Sequence, residues 1–279
     1  MTLDETIDAS DCPTASGMPM LGLGTWQNTD PAQCAKSVQT ALELGYRHVD
    51  TAQAYGNEEA VGEGIDRSSV DRESVFLATK IWTENLAPED VKTTARESLD
   101  RLGVEYVDLL YVHWPAGAYD PKTTLPAFES LVDDDVTRRI GVSNFLADQL
   151  EAAVDRCDVP IFANQVELHP RLQQPDLRET CERLDVEIVA YSPLARGDVF
   201  DEPVLQEIAT DRGVSPAQVS LAWLRDAGIT AIPKATSEDH IADNWGSLDL
   251  ELDDATIDRI ADVDRGERVV DPDFGPWNQ

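Results

Sequence analysis

The sequence predicts one α/β domain closed as a (β/α)8 barrel, the TIM-barrel architecture. Three features point there. Short apolar runs alternate with helical patterns along the chain, the runs number eight, and each ends in or next to a polar or ionisable residue. Alternating strand and helix signals imply a parallel sheet, and eight such units close into a barrel whose active site lies at the C-terminal strand ends. A chain of 279 residues suits a single barrel, which commonly uses about 250.

Residues 1–20 read as a variable lead with a turn or short hairpin around Gly17-Met18-Pro19, and 265–279 as a C-terminal loop over the pocket. The strand candidates are 21–24, 46–50, 75–80, 107–112, 139–142, 161–166, 187–191 and 229–232. Between them the helices carry start and stop signals. Asp30-Pro31 is an N-cap with proline at the first helical position; Ala35, Val38 and Leu42 follow helical spacing, and Gly45 stops the run. Pro88 opens a helix carrying Val91, Ala95, Ser98 and Leu102, closed by Gly103. Ser215-Pro216 opens one carrying Val219, Ala222 and Trp223, closed by Gly228. Leu146, Leu150, Ala153 and Cys157 repeat the spacing, as do Leu177, Cys181 and Leu184. An open doubly wound sheet would carry a phosphate fingerprint at its first strand–helix turn. GLGTWQ at 22–27 lacks the third glycine and has a Trp where the helix should begin, so that site is disfavoured.

Asp plus Glu total 54 against 22 Lys plus Arg, for a formal net charge of −32. Such a surface repels nucleic acid and anionic membranes. The excess of acid with only five lysines points to a halophile, because molar salt screens like charges beyond about 3 Å. Hyperthermophile chains enrich lysine instead. Self-repulsion also favours a monomer. Cys12, Cys34, Cys157 and Cys181 form no CxxC pair and read as small apolar core residues in a reducing compartment. The opening MTLDETIDASDC has no basic segment followed by an apolar run, and no apolar stretch has membrane-span length, so the cytoplasm is the expected location.

The strand ends carry Asp50, Lys80, His113, Ser143-Asn144, Gln165 and Tyr191, with Lys234 just past the last strand. In a barrel these converge on one rim. Adding hydride to a carbonyl creates an alkoxide, so a proton donor or oxyanion stabiliser must stand at the oxygen. A free phenol is a sluggish acid; a nearby ammonium would lower its pKa, and a carboxylate would hold that ammonium charged. Asp50, Tyr55, Lys80 and His113 supply the carboxylate, phenol, amine and imidazole. Taken singly, each has an ordinary structural explanation as a cap, a surface charge, a rim histidine or a packing aromatic. Their combination is what carries information.

GYRHVDTAQAYGNE (45–58), LATKIW (77–82), DLLYVHWP (108–115), IGVSNF (140–145), NQVELHP (164–170), AYSPLARG (190–197) and IPKATSEDHIADN (232–244) together resemble the aldo-keto reductase family. The likeness runs from Leu21 to Arg268, and the compact 113–143 stretch resembles the short-loop bacterial branch that includes 2,5-diketo-D-gluconate reductases. The resemblance implies an enzyme that reduces aldehydes or ketones, keto sugars among them, with hydride from a nicotinamide coenzyme. It implies that Asp50, Tyr55, Lys80 and His113 are the catalytic tetrad, with Tyr55 the general acid and Lys80 lowering its pKa. Ser143, Asn144 and Gln165 match the residues that hold the carboxamide, and Tyr191 the ring that stacks on nicotinamide. Thr25, Ile232, Ser192, Leu194 and Arg196 fall with the coenzyme cleft, Arg196 replacing a residue that is often small. Lys234, Ala235 and Thr236 match the segment around the 2′-phosphate, and Asn244 the adenine contact.

His240 stands where the family often has Arg, and Asp243 where it has Glu. Arg clamps a phosphate bidentately, whereas His is largely neutral at pH 7. With Lys234 present, NADP(H) is the expected coenzyme and NAD(H) the alternative. Trp26, Tyr55, Trp82, His113, Trp114 and Trp277 match the substrate pocket, with Phe274 a further candidate. A small carbonyl compound is the expected partner. The rival functions are a non-catalytic nucleotide-binding sensor or accessory subunit, against which retention of the tetrad argues, and a metal hydrolase. The latter needs clustered ligands, and the four histidines His48, His113, His169 and His240 include no HxH pair.

Overall fold

The computed structural model describes residues 12–279. The first eleven residues of the expected N-terminal lead lie outside them. The rest of the lead is a hairpin, β1 (Thr14–Ala15) against β2 (Met18–Pro19). Its turn residues Ser16 and Gly17 both have positive φ, 47° and 81°, the geometry that twists with the strands.

Eight parallel strands follow: β3 (Leu23–Gly24), β4 (His48–Asp50), β5 (Phe76–Ile81), β6 (Leu109–Val112), β7 (Ile140–Ser143), β8 (Ile161–Glu167), β9 (Glu187–Tyr191) and β10 (Thr230–Ala231). Each pairs with the next in sequence order. Parallel bridges from Leu21 to Ala231 and from Gly24 to Lys234 join the first strand to the last. The fold is the (β/α)8 barrel. Gly24 explains the short GLG run. A Cβ there would lie 2.5 Å from the Ile232 carbonyl oxygen, so the glycine serves the strand junction.

Met18, Phe76, Leu109, Tyr111, Val189 and Ile232 fill the barrel interior, with Met18 reaching in from the hairpin. A larger apolar layer lies between strands and helices. Each fully buried large side chain there contributes about 1.5–3 kcal/mol.

The helices are α1 (Pro31–Leu44), α2 (Glu58–Arg67), α3 (Pro88–Leu102), α4 (Thr124–Asp133), α5 (Ala147–Val154), α6 (Pro175–Leu184), α7 (Pro203–Arg212), α8 (Pro216–Asp226), α9 (Glu238–Trp245) and α10 (Asp254–Ala261). Asp30 caps α1 by accepting the Gln33 amide at 2.8 Å, and Ser215 caps α8 by accepting that of Gln218 at 3.1 Å. Gly45 and Gly103 close α1 and α3 with positive φ. Helix α2 packs close to its neighbours through glycine: a Cβ on Gly62 would lie 2.1 Å from the Leu102 carbonyl oxygen. Helix α5 ends at Val154, so Cys157 falls beyond the expected pattern and is half-buried. Cys12, Cys34 and Cys181 are buried, and all four cysteines are free. Among the described residues, no helix is long and apolar enough to cross a membrane.

Candidate active site

The C-terminal strand ends open into a cavity of about 970 Å³. The polar residues expected on one rim do converge there. Asp50, Tyr55, His113, Ser143, Asn144 and Gln165 line its floor, and Tyr191, Ser192, Leu194, Arg196 and Ile232 one wall. Thr25, Trp26, Lys234, His240 and Asn244 line it too. Lys80 stands behind this surface, fully buried.

Register explains the placement. Lys80 lies on β5 one strand from Asp50, whose partner residue there is Ala78. The Lys80 ammonium donates to Asp50 Oδ1, to the Thr51 carbonyl at 2.9 Å and to the Tyr55 hydroxyl at 3.3 Å. The other Asp50 oxygen accepts Gln165 Nε2 at 2.8 Å. The His113 ring stands edge-on between those of Tyr55, 5.7 Å away, and Trp82, 5.2 Å away.

Burial pulls the Lys80 ammonium down from its ordinary value, opposed first by Asp50 and then by the buried Glu58 carboxylate. Burial pushes the Tyr55 phenol well above the usual tyrosine range, and Asp50 raises it further. The expected lowering by Lys80 is therefore reversed, because the carboxylate paired with the ammonium offsets its field while desolvation disfavours phenolate. The phenol therefore holds its proton at neutral pH. His113 is held well below the ordinary imidazole range, by burial first and Lys80 second, so its ring is neutral at pH 7. Its Nδ1 is buried without a partner among the described residues.

The loop carrying Tyr55 is tied down by residues that the sequence reading did not single out. Gln53 Nε2 donates to the Thr94 carbonyl at 3.0 Å and to Ser98 Oγ at 3.1 Å, both on α3. Its Oε1 accepts the Trp82 amide and Asn85 Nδ2, each at 3.1 Å. Asn57 accepts from Thr51 Oγ1 and donates to the Thr25 carbonyl at 2.9 Å. Glu58 accepts from Thr79 Oγ1 at 2.6 Å and pairs with Arg101. What marks these polar side chains is that elements distant in sequence supply their partners, and that needs the fold to be seen.

Trp26, Trp82 and Trp114 line the cavity as expected. Trp277 does not: its ring packs 5.7 Å from that of Trp114, under the Arg268 guanidinium, with Nε1 donating to Asp271. Phe274 takes the wall position instead, edge-on to Trp114 at 5.3 Å. Ala235 and Thr236 also lie off the lining; Ala235 is buried, and the Thr236 carbonyl accepts Gln33 Nε2.

A family model described as the aldo/keto reductase family matches residues 20–265. The chain belongs to the aldo/keto reductase family. It is 40% identical over 260 residues to a 9,11-endoperoxide prostaglandin H2 reductase of Trypanosoma cruzi, covering 92% of each chain. It is 40% identical over 252 residues to a glyoxal reductase of Bacillus subtilis, covering 90% of this chain and 91% of that one. A Bombyx mori aldo-keto reductase solved in complex with NADP superposes with a TM-score of 0.87 at 32% identity, over 92% of each chain. The protein is accordingly an NAD(P)H-dependent carbonyl reductase.

The cavity of this aldo-keto reductase fits such a coenzyme. Its volume is at the upper end of the roughly 300–1,000 Å³ of ligand pockets. Asn144, with φ of 65°, is fixed by donating to the His113 carbonyl at 3.1 Å and accepting the Tyr191 hydroxyl at 2.7 Å. At the other end Arg196 and Lys234 are the cationic lining residues, on a chain otherwise poor in cations. Arg196 lies 4.6 Å over the Trp26 ring, and both residues line the cavity.

Proposed function

We propose that this reductase converts aldehydes and ketones to alcohols with Tyr55 as the proton donor and NADP(H) as the preferred coenzyme. The observation that carries the reading is the phenol at the cavity floor, 3.3 Å from a buried ammonium and beside a neutral imidazole. When bound, a reduced nicotinamide supplies the hydride. Ser143, Asn144 and Gln165 would hold its carboxamide, and Tyr191 would face its ring. His113 Nε2 carries the hydrogen that orients the carbonyl oxygen. As that oxygen gains charge, the Tyr55 hydroxyl hydrogen passes to it and the alcohol forms. The Lys80 ammonium faces the phenolate left behind and lowers its cost, and Asp50 keeps the ammonium in place. The phenolate is then reprotonated from solvent.

Lys234 and Arg196 support a phosphorylated coenzyme at the end where His240 replaces the more usual arginine. Keto sugars fall within the same reaction class. The aromatic walls favour small apolar carbonyl compounds, since few polar groups stand ready for selection. The acid excess supports a halophilic, monomeric enzyme with no nucleic-acid partner, and the cytoplasm is the location we propose for it. The test is oxidation of NADPH and of NADH in molar KCl with a panel of small aldehydes, for wild type and Lys234→Ala. Preference for NADPH that disappears in the variant supports the coenzyme reading; equal use of both coenzymes by the wild type would overturn it.

A further inference from the structure

Glu167 ends β8, the strand that also carries Gln165, and strand alternation puts the two on one side. Among the described residues Glu167 hydrogen-bonds to none of the tetrad side chains, yet it is fully buried. A carboxylate without water is costly unless hydrogen-bond donors replace it. Here Oε1 accepts the Val269 amide at 2.6 Å and His169 Nε2 at 2.9 Å, and Oε2 accepts the Val270 amide at 3.0 Å. Both amides belong to the C-terminal loop, and both valines line the cavity. Phe274, a few residues further on, sets its ring against Trp82 and Trp114.

This loop has no helix or strand of its own between Asp262 and Gly275. With no helix or strand ladder of its own, it is held by separate anchors. One anchor is the Arg171 carbonyl, which accepts the amides of Arg265 and Glu267. Glu167 is the second, nearer the cavity. It is reinforced by Gln174, which donates to the Glu167 carbonyl at 2.5 Å and accepts Arg268 Nη2 at 3.3 Å.

We propose that Glu167 is a positioning residue for substrate selection: its carboxylate latches the C-terminal loop and so holds Val269, Val270 and Phe274 as one wall of the cavity. The inference rests on the reading of this cavity as a carbonyl-reductase site. Bulky aromatic carbonyls reach that wall and depend on it. A two-carbon dialdehyde sits at Tyr55 and His113 and does not.

Glu167→Gln keeps the shape but turns one acceptor into a donor facing an amide hydrogen. The expected result is a rise of about tenfold in KM for 2-naphthaldehyde, with kcat for glyoxal within about twofold of wild type, the scale of one lost charge-assisted hydrogen bond. Amide hydrogen exchange at Val269 and Val270 should quicken by about tenfold or more while strand amides keep their rates. Equal losses on both aldehydes, or unchanged exchange at Val269 and Val270, would overturn the proposal. If the variant does not fold, wild-type exchange decides: Val269 and Val270 should exchange at least about tenfold more slowly than Asp271 and Asp273, and equal rates would refute the latch. A wild type that turns over no aldehyde would overturn the reductase reading instead, and the exchange data would still judge the latch.

Discussion

Replacing Lys80 by Met removes the charge at the centre of the site while keeping most of the volume. Asp50 is 1% exposed and Lys80 is 0% exposed, so neither group has water to fall back on. In the variant the carboxylate keeps Gln165 Nε2 at 2.8 Å, and the Thr51 carbonyl and Tyr55 hydroxyl each lose a donor. Stripping one partner from a buried ion pair costs about 3–5 kcal/mol. Against a total stability of about 5–15 kcal/mol, the variant stays folded but by a much smaller margin. At about 2–4 °C per kcal/mol for a chain of this size, Tm should fall by roughly 6–20 °C. Denaturant unfolding in molar KCl measures the loss directly, since a pair this deep is poorly screened. Asp50→Asn combined with Lys80→Met removes both charges and should recover about 2 kcal/mol or more. A loss below about 1 kcal/mol in the single variant, or strict additivity in the double, would refute the account of a desolvated, mutually dependent pair.

Further outcomes follow from the same geometry. His48 and His113 are both held below the ordinary imidazole pKa by burial, so they stay neutral in the fold while the unfolded chain takes up protons below about pH 6.5. Stability is therefore unaffected above that pH and falls on acidification toward pH 5, by up to about 1.4 kcal/mol per pH unit for each histidine; a flat stability profile over this window would contradict it. Gln53→Ala cuts the four bonds that tie the Tyr55 loop to α3, Trp82 and Asn85, and should lower kcat by about tenfold with little change in coenzyme Kd; unchanged kcat would show the loop is held by other means. Transfer from molar to about 0.1 M KCl lengthens screening to about 10 Å, so Tm should drop as the −32 charges repel, and full stability in dilute buffer would sink the halophile reading.

Much of the site was legible because the barrel rule converts a one-dimensional pattern into a place. Asp50, His113, Gln165 and Tyr191 each close an apolar run, and strands that run parallel deliver their ends to one face. Helices α1, α3 and α8 have proline at the first turn and a glycine or cap residue at an end, and α5 and α6 showed in their apolar spacing. What stayed hidden depends on partners distant in sequence. Gly62 and Gly64 look like breakers, yet they are what lets α2 approach its neighbours. Glu167 sits inside a motif that was plain in the sequence, but the amides it binds come about a hundred residues later, from a loop without periodicity. The same loop hid the exchange of roles between Trp277 and Phe274. The direction of the Tyr55 shift stayed hidden because its largest cause is burial, which belongs to the fold, and because the Asp50 carboxylate acts on the phenol as well as on the ammonium.

The most direct test of the account is NADPH consumption in molar KCl with saturating aldehyde, comparing wild type with Tyr55→Phe, alongside coenzyme binding followed by fluorescence. The account predicts that the variant loses turnover by about a hundredfold or more while its coenzyme Kd stays within about twofold of wild type. A variant that keeps about a tenth or more of wild-type turnover would contradict the assignment of Tyr55 as the proton donor.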